Sequence, residues 1–240
     1  MQPIATSSTR WMLLAASYSV WITTILWAVL SLGGLGTTAS RLFNWHPVLA
    51  SGAVLGALTP GILAHTARHS DDAKRRFRAR LLHALCVLLA FIVLTIAVSV
   101  VYANHVQHKQ PHFYSLHSWL GVTCLLLMKG NIVAGIASAL FPRFQGGSFG
   151  TMHRYTGAFI CFLSFMSAAL GFAHMQDSLS RTSGGVWQVK VVLAGLLGAA
   201  SLCVGTALIL LLFSGEHFRH ESNEDACALK GKDVEVEVKA

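Results

Sequence analysis

The chain has 240 residues, 54 % of them apolar and only 12 % charged, which excludes an ordinary soluble domain. Its net charge of +8 does not point to nucleic acid, because the basic residues are segregated along the chain rather than gathered on one face. Runs of about 20 apolar residues instead match a hydrocarbon core of about 30 Å.

Six such runs occur, at about 12–32, 46–64, 81–102, 117–140, 155–173 and 187–213. At this hydrophobicity only helices satisfy their own backbone inside lipid, so the expected fold is all-α. The chain reads as a polytopic membrane protein with one six-helix domain over 12–213. Residues 1–11 form a cytosolic N-terminus in this reading, and 214–240 a disordered cytosolic tail.

In chain order, the run from Trp11 to Leu32 is too long for a signal-peptide core and lacks a small-x-small cleavage site, so it is read as a span. A loop with Gly33, Gly34 and Gly36 leads to Phe43-Asn-Trp-His-Pro47. Pro47 suits a first helical turn, and Trp45 an interfacial anchor. Ala64 to Arg80 then reads as a basic loop carrying Arg68, Lys74, Arg75, Arg76, Arg78 and Arg80, a topology signal in its own right. His83 follows just inside the third span.

The 103–116 loop holds His105, His108 and His112 with little net charge. In the fourth span Lys129 lies near the middle, where a lysine is costly and usually faces the bundle interior; a snorkelling or partly neutral lysine in a polar seam is an equal reading. No task is assigned to it. Phe141-Pro142 ends that helix, and Gly146, Gly147 and Gly150 predict a flexible cytosolic turn before His153. The fifth span is rich in Ser, Ala and Gly, which permit close helix contact. The sixth, mostly Leu, Val and Gly, offers no chemistry.

Of the 18 Lys and Arg, 13 fall in the N-terminus, the 65–80 and 141–154 segments and the tail, while the alternate loops hold only Arg41, Lys109 and Arg181. The positive-inside rule then places both termini in the cytosol. Cys86, Cys124, Cys161 and Cys203 lie inside spans and read as small hydrophobes. No Cys-x-x-Cys-His occurs, which excludes the motif for covalent c-type haem.

Four histidines stand near the first residues of apolar segments. His46 and His117 open the second and fourth spans on the non-cytosolic side, and His83 and His153 open the third and fifth on the cytosolic side. The spacing within each pair is nearly equal, 71 and 70 residues. Two imidazoles facing one another from neighbouring helices supply both axial ligands of a six-coordinate b-type haem, bound without covalent attachment. Zinc is disfavoured, since the apolar runs offer no carboxylate to complete its shell. Two haems stacked across a bilayer make an electron wire, with no iron position left open for oxygen. Bundles in which one helix serves two haems are set aside, because Pro111 and a polar loop break the nearest such pair, His105 and His117.

Phe43-Asn-Trp-His-Pro-Val-Leu49, Leu81-Leu-His83 behind a basic segment, Tyr114-Ser-Leu-His-Ser-Trp-Leu-Gly121, and Phe-Pro followed by His153 together resemble the cytochrome b561 family, over about residues 43 to 174. The resemblance implies six helices with a four-helix haem-binding core, two haem b groups, and ascorbate-dependent transmembrane reductase activity. It implies that cytosolic ascorbate gives one electron to the inner haem, and that the outer haem reduces monodehydroascorbate or ferric chelates. Carried over residue by residue, it places ascorbate binding at Arg76 and Arg80, where the family has lysines. It places the outer substrate site at His105 and Tyr114. A family arginine before the fifth-span histidine has no counterpart in register, and Arg143 is the candidate nearby. Contact with membrane lipid, a homodimer, and residence in an endomembrane vesicle or the plasma membrane are further expectations. No single residue is assigned a catalytic role.

Two other readings compete. A histidine-rich metal-ion transporter would use His105, His108 and His112 as a collecting loop, but lacks a carboxylate in the apolar runs to bind and release a cation. A non-redox scaffold leaves the symmetry of the four histidines unexplained.

Overall fold

The structure, a computed structural model, describes residues 7–66, 72–141, 147–182, 185 and 187–238, with backbone alone for 39–40, 147–148 and 214–238. Arg68, Pro142, Arg143 and Gly146, singled out above, lie outside the described residues, as does the chain before Ser7. Among the described residues the elements are helices: α1 Ser7–Ser31, a short α2 Ala39–Leu42, α3 Trp45–Thr66, α4 Ala73–Gln107, α5 Leu116–Leu140, α6 Gly147–Thr182 and α7 Val189–Val238. Six of them are long and apolar enough to cross a membrane, one for each expected run.

The helices outrun the apolar segments, and the caps explain why. Asp72 accepts a hydrogen bond from the Lys74 amide at 2.9 Å and starts α4 there, so Lys74, Arg75, Arg76, Arg78 and Arg80 lie on a helix rather than in the loop expected above. At its far end α4 continues to Gln107 and carries His105. There the Gln110 amide bonds back to the His105 carbonyl at 2.9 Å and Lys109 takes a left-handed φ of 52°, a Schellman ending followed by Pro111. With 35 residues α4 is about 52 Å long, well beyond the hydrocarbon core.

α6 starts at Gly147, so Gly147 and Gly150 belong to a helix and not to the predicted turn. It ends at Thr182, past the expected boundary, where Asp177 and Arg181 pair one turn apart at 2.8 Å. α7 runs to Val238, through the segment from residue 214 that was expected to be a disordered tail.

The most enclosed helix is α3, whose central window is 72 % buried against 11 % for α4 and for α5. Its middle, Gly52–Leu58, is π-helical, and the wider turn leaves carbonyls to be satisfied from outside the helix. α1 supplies the donors: Ser17 Oγ bonds the Leu55 carbonyl at 2.6 Å and Tyr18 Oη the Gly56 carbonyl at 3.2 Å. Trp21 lies flat against Gly52 and Gly56, where a Cβ would fall 2.8 and 3.1 Å from the indole. The wider turn makes the second half of α3 lag by roughly a third of a turn, which decides the face on which Gly61 emerges.

α7 closes the other side, with α1 and α6 against it. Trp27 of α1, 2 % exposed, donates its indole N–H to the Lys190 carbonyl at 2.9 Å and meets Phe172 edge to face. Lys129 does not face the interior. It shares the exposed stripe of Leu126, Val133 and Ile136, because the packed face of α5 is taken by Cys124 and Met128.

Removing the Ser17 hydroxyl would leave a buried carbonyl of the π-helical segment without that donor. Ser17→Ala is expected to cost about 1–3 kcal/mol, read as a lower melting temperature of purified protein in detergent. Thr95→Ala, at an exposed hydroxyl bonded only to its own helix, is the control expected to melt like the parent.

Candidate functional site

The start of α3 is set by its neighbours. Asn44 Nδ2 donates to the Leu32 and Gly34 carbonyls, both at 2.8 Å, and Trp45 Nε1 donates to the Gly36 carbonyl at 3.1 Å, folding the glycine loop back over the helix end. His46 is the second residue of the helix. At α5 the cap is Ser115, whose hydroxyl accepts from the Ser118 amide at 3.2 Å, so His117 is also second in its helix.

These two histidines meet. Their ring centroids are 5.9 Å apart and the planes are nearly perpendicular, at 82°. His46 Nδ1 lies 2.9 Å from the Ala97 carbonyl of α4, and His117 Nδ1 lies 2.8 Å from the Ser167 carbonyl of α6. A carbonyl only accepts, so each Nδ1 carries the proton and each Nε2 keeps its lone pair for a metal. Two metal–nitrogen bonds of about 2.0–2.1 Å, with roughly 1.1 Å from nitrogen to ring centre on each side, put collinear ligand rings about 6.3 Å apart. The observed centroid separation is close to that value. Gly171 of α6 makes the seat, since a Cβ there would stand 2.9 Å from His117 Cε1.

At the other end of the bundle His83 Nδ1 lies 3.0 Å from the Gly61 carbonyl of α3. α3 and α4 therefore hold one another's histidines. Gly61 permits the close approach, because a Cβ there would fall 2.8 Å from Cys86 Cβ. His153 rests against Gly135 of α5, whose Cβ would be 3.1 Å from its Cε1, as His117 rests against Gly171. His65, the basic residue of the last turn of α3, lies beside His83 with ring centroids 5.0 Å apart. Arg76 and Arg80, seven and three residues before His83, share its face of α4; Arg76 is half-buried and Arg80 exposed.

The two histidine levels are a fixed distance apart. Fourteen residues separate His83 from Ala97 on α4 and fifteen separate His46 from Gly61 on α3, about 21–22 Å in each case. Between them lies the packed core of Leu55, Ala90, Cys124, Met128, Cys161 and Phe165.

Around the His46–His117 end is a further ring-lined group. His105 lies 6.2 Å from Tyr114 and 5.4 Å from His112, which stacks on Tyr102 at 4.7 Å. His105 and Tyr114, expected to share a site, are thus neighbours. His108 Nδ1 instead bonds the Asn104 carbonyl of its own helix at 2.9 Å. Tyr114 Oη is 2.9 Å from Nε2 of His174 on α6. Neither His174 nor His65 was singled out in the sequence. The available signal was position, since both sit at the ends of spans on the same levels as the four histidines. Among the described residues no three His, Cys, Asp or Glu side chains gather as a metal-ion site.

Residues 45–177, more than half of the chain, match the family model described as eukaryotic cytochrome b561. A Mus musculus protein named transmembrane ascorbate-dependent reductase CYB561 is 27 % identical over 205 residues, covering 83 % of this chain and 80 % of its own. An Arabidopsis thaliana protein named transmembrane ascorbate ferrireductase 2 is 28 % identical over 198 residues, covering 78 % and 82 %. A second Mus musculus protein, plasma membrane ascorbate-dependent reductase CYBRD1, is 34 % identical over a shorter 119 residues, covering 49 % and 41 %.

The glycine seats give a test of the two ends separately. Gly171→Ala is expected to displace the His117 ring and Gly135→Ala the His153 ring. Each variant should lower bound haem per chain toward about half of the parent, with the residual absorbance differing between them. Full haem content in both would show that the seats tolerate a methyl group.

Proposed function

The chain belongs to the eukaryotic cytochrome b561 family, and from that premise we propose that this transmembrane oxidoreductase takes electrons from cytosolic ascorbate, carries them across the membrane on two non-covalent b-type haems, and delivers them to monodehydroascorbate or ferric iron. His46 with His117 hold one haem, and His83 with His153 the other. The observation that carries this reading is the pair of imidazoles at 5.9 Å, each with Nδ1 on a backbone carbonyl and Nε2 left for iron. A haem held by these histidines would supply reversible one-electron iron chemistry.

The protein's own residues do the rest. Backbone carbonyls fix the imidazoles of His46, His83 and His117 in one tautomer, and the apolar core between the two levels keeps water out of the path. Arg76 and Arg80 hold the donor on the cytosolic side. A guanidinium carries a planar fork that grips an enediolate or a haem propionate in two places, which a lysine cannot do. His105 and Tyr114 flank the acceptor on the opposite side, beside the His46–His117 pair. The distribution of basic residues supports cytosolic termini. The exposed apolar faces of α4 and α5 suit lipid or a second copy of the chain, in an endomembrane vesicle or the plasma membrane. The transporter alternative is disfavoured because the histidines of the 103–116 segment turn to aromatic rings or to backbone.

Two tests follow. His46→Ala combined with His117→Ala should remove one haem, whereas His46→Ala combined with His153→Ala should remove both. Loss of a single haem in the latter would mean the pairing is wrong. Arg76→Ala with Arg80→Ala should raise the half-saturating ascorbate concentration by roughly 10–100-fold at intact haem content, since a charge-assisted hydrogen bond contributes about 1.5–3 kcal/mol. An unchanged ascorbate dependence would remove these arginines from the donor site.

A further inference from the structure

The hydrogen bond between Tyr114 and His174 joins two elements that have no sequence proximity, the cap of α5 and the far part of α6. Both side chains are exposed, Tyr114 by 56 %, and both lie at the His46–His117 end. His174 follows Gly171, the seat of the His117 ring, by about one turn of α6, and His105 lies 6.2 Å from Tyr114. The bond is therefore open to solvent on one side and adjoins the electron exit on the other. Tyr114 precedes the capping Ser115 and makes no cap contact itself, and α6 extends two further turns past His174.

The two classes of acceptor differ in what they demand. A ferric chelate takes an electron alone. An oxidised enediol takes an electron and a proton, since monodehydroascorbate is a radical anion and its product at neutral pH is the ascorbate monoanion. Delivering the electron without the proton would leave a dianion in a partly desolvated site, which is costly.

We propose that Tyr114 and His174 form a proton relay that equips this exit site for an acceptor of the oxidised-enediol class. The proposal rests on the electron-transfer reading above and goes beyond it in assigning the proton and the acceptor class. With His174 protonated, its Nε2–H donates to Tyr114 Oη and leaves the phenol O–H free to point at the substrate. Monodehydroascorbate gains one electron from the transmembrane transfer. The phenol proton passes to the substrate oxygen as the Nε2 proton passes to the phenol oxygen. Ascorbate monoanion leaves, His174 is neutral, and solvent protonates it again. His174 is a positioning and proton-supplying residue that acts through Tyr114 and does not itself touch the substrate.

The groups that bear on His174 are few. Tyr114 faces it from the loop, with His105 and His112 behind. His117 lies across the α5–α6 face. Asp177 follows one turn along α6, with its charge committed to Arg181 at 2.8 Å.

The test uses the haem-loaded protein, reduced chemically with dithionite so that no donor site is involved, and follows reoxidation by two acceptors. Monodehydroascorbate, generated in situ, requires the proton, and ferricyanide does not. His174→Ala and His174→Gln are each expected to slow reoxidation by monodehydroascorbate about tenfold or more, the scale of positioned acid catalysis, with ferricyanide reoxidation at the parent rate. Glutamine keeps a hydrogen bond to Tyr114 but has no titratable proton, which separates supply from mere support. A solvent deuterium effect should appear for the parent with monodehydroascorbate and vanish in both variants.

A second readout needs no turnover. In the fully reduced, diamagnetic protein the ¹⁵N signal of the His174 ring should shift when ascorbate is added, and Tyr114→Phe should abolish that shift. Equal slowing with both acceptors, no slowing with either, or an ascorbate shift that survives in Tyr114→Phe would each overturn the relay. Failure of ascorbate to reduce the parent's haems would count against the donor reading alone, because this experiment bypasses the donor.

Discussion

A backbone carbonyl that takes the Nδ1 proton of a histidine on the neighbouring helix is the contact from which the rest of this bundle follows. Inside a membrane an imidazole N–H without a partner is costly, and a ring free to change tautomer is a poor ligand. Here the contact runs both ways between α3 and α4: His46 uses Ala97 and His83 uses Gly61. Both carbonyl residues are small, so the helices approach closely enough for the bond to form. Gly61 is aimed by the π-helical turn before it, and that turn is held open by Ser17, Tyr18 and Trp21 of α1. A helix that carries none of the four histidines thus fixes the seat of one that does.

The same economy sets the depth of the two levels. Each reciprocal bond spans fourteen or fifteen residues of helix, so the levels cannot drift relative to one another without breaking one. About 21 Å of a 30 Å hydrocarbon core then lies between them, and each level sits close to a water-facing mouth. The chemistry at those mouths differs. One has arginines in line with His83 on α4; the other has tyrosine and histidine on three elements around His46 and His117. That asymmetry suits the proposed donor, an anion, and the proposed acceptor, which takes up a proton.

The sequence showed the six helices and the four histidines because both signals are local. An apolar run of fixed length and a histidine at its edge need no knowledge of neighbours. Helix ends were less legible, since hydrophobicity marks what lies in lipid while caps such as Asp72, Ser115 and Lys109 mark where a helix stops. Lys74 to Arg80 therefore read as loop although Asp72 already announced a helix. The π-helical Gly52–Leu58 left no trace, because its stability comes from hydroxyls on α1. The side taken by Lys129 was left open for a related reason: which face of α5 turns inward is decided by the packing of Cys124 and Met128, not by the cost of a buried lysine. His174 was invisible for want of a motif, and only its distance from Tyr114 gives it meaning.

The proposed electron path needs two iron centres per chain, each held by two histidines. Quantifying haem against protein in the purified wild-type chain, together with electron paramagnetic resonance of the oxidised form, tests this most directly. Two haems per polypeptide, both low-spin ferric, is the predicted result. One haem or none, or a high-spin signal showing an iron with an open position, would contradict it.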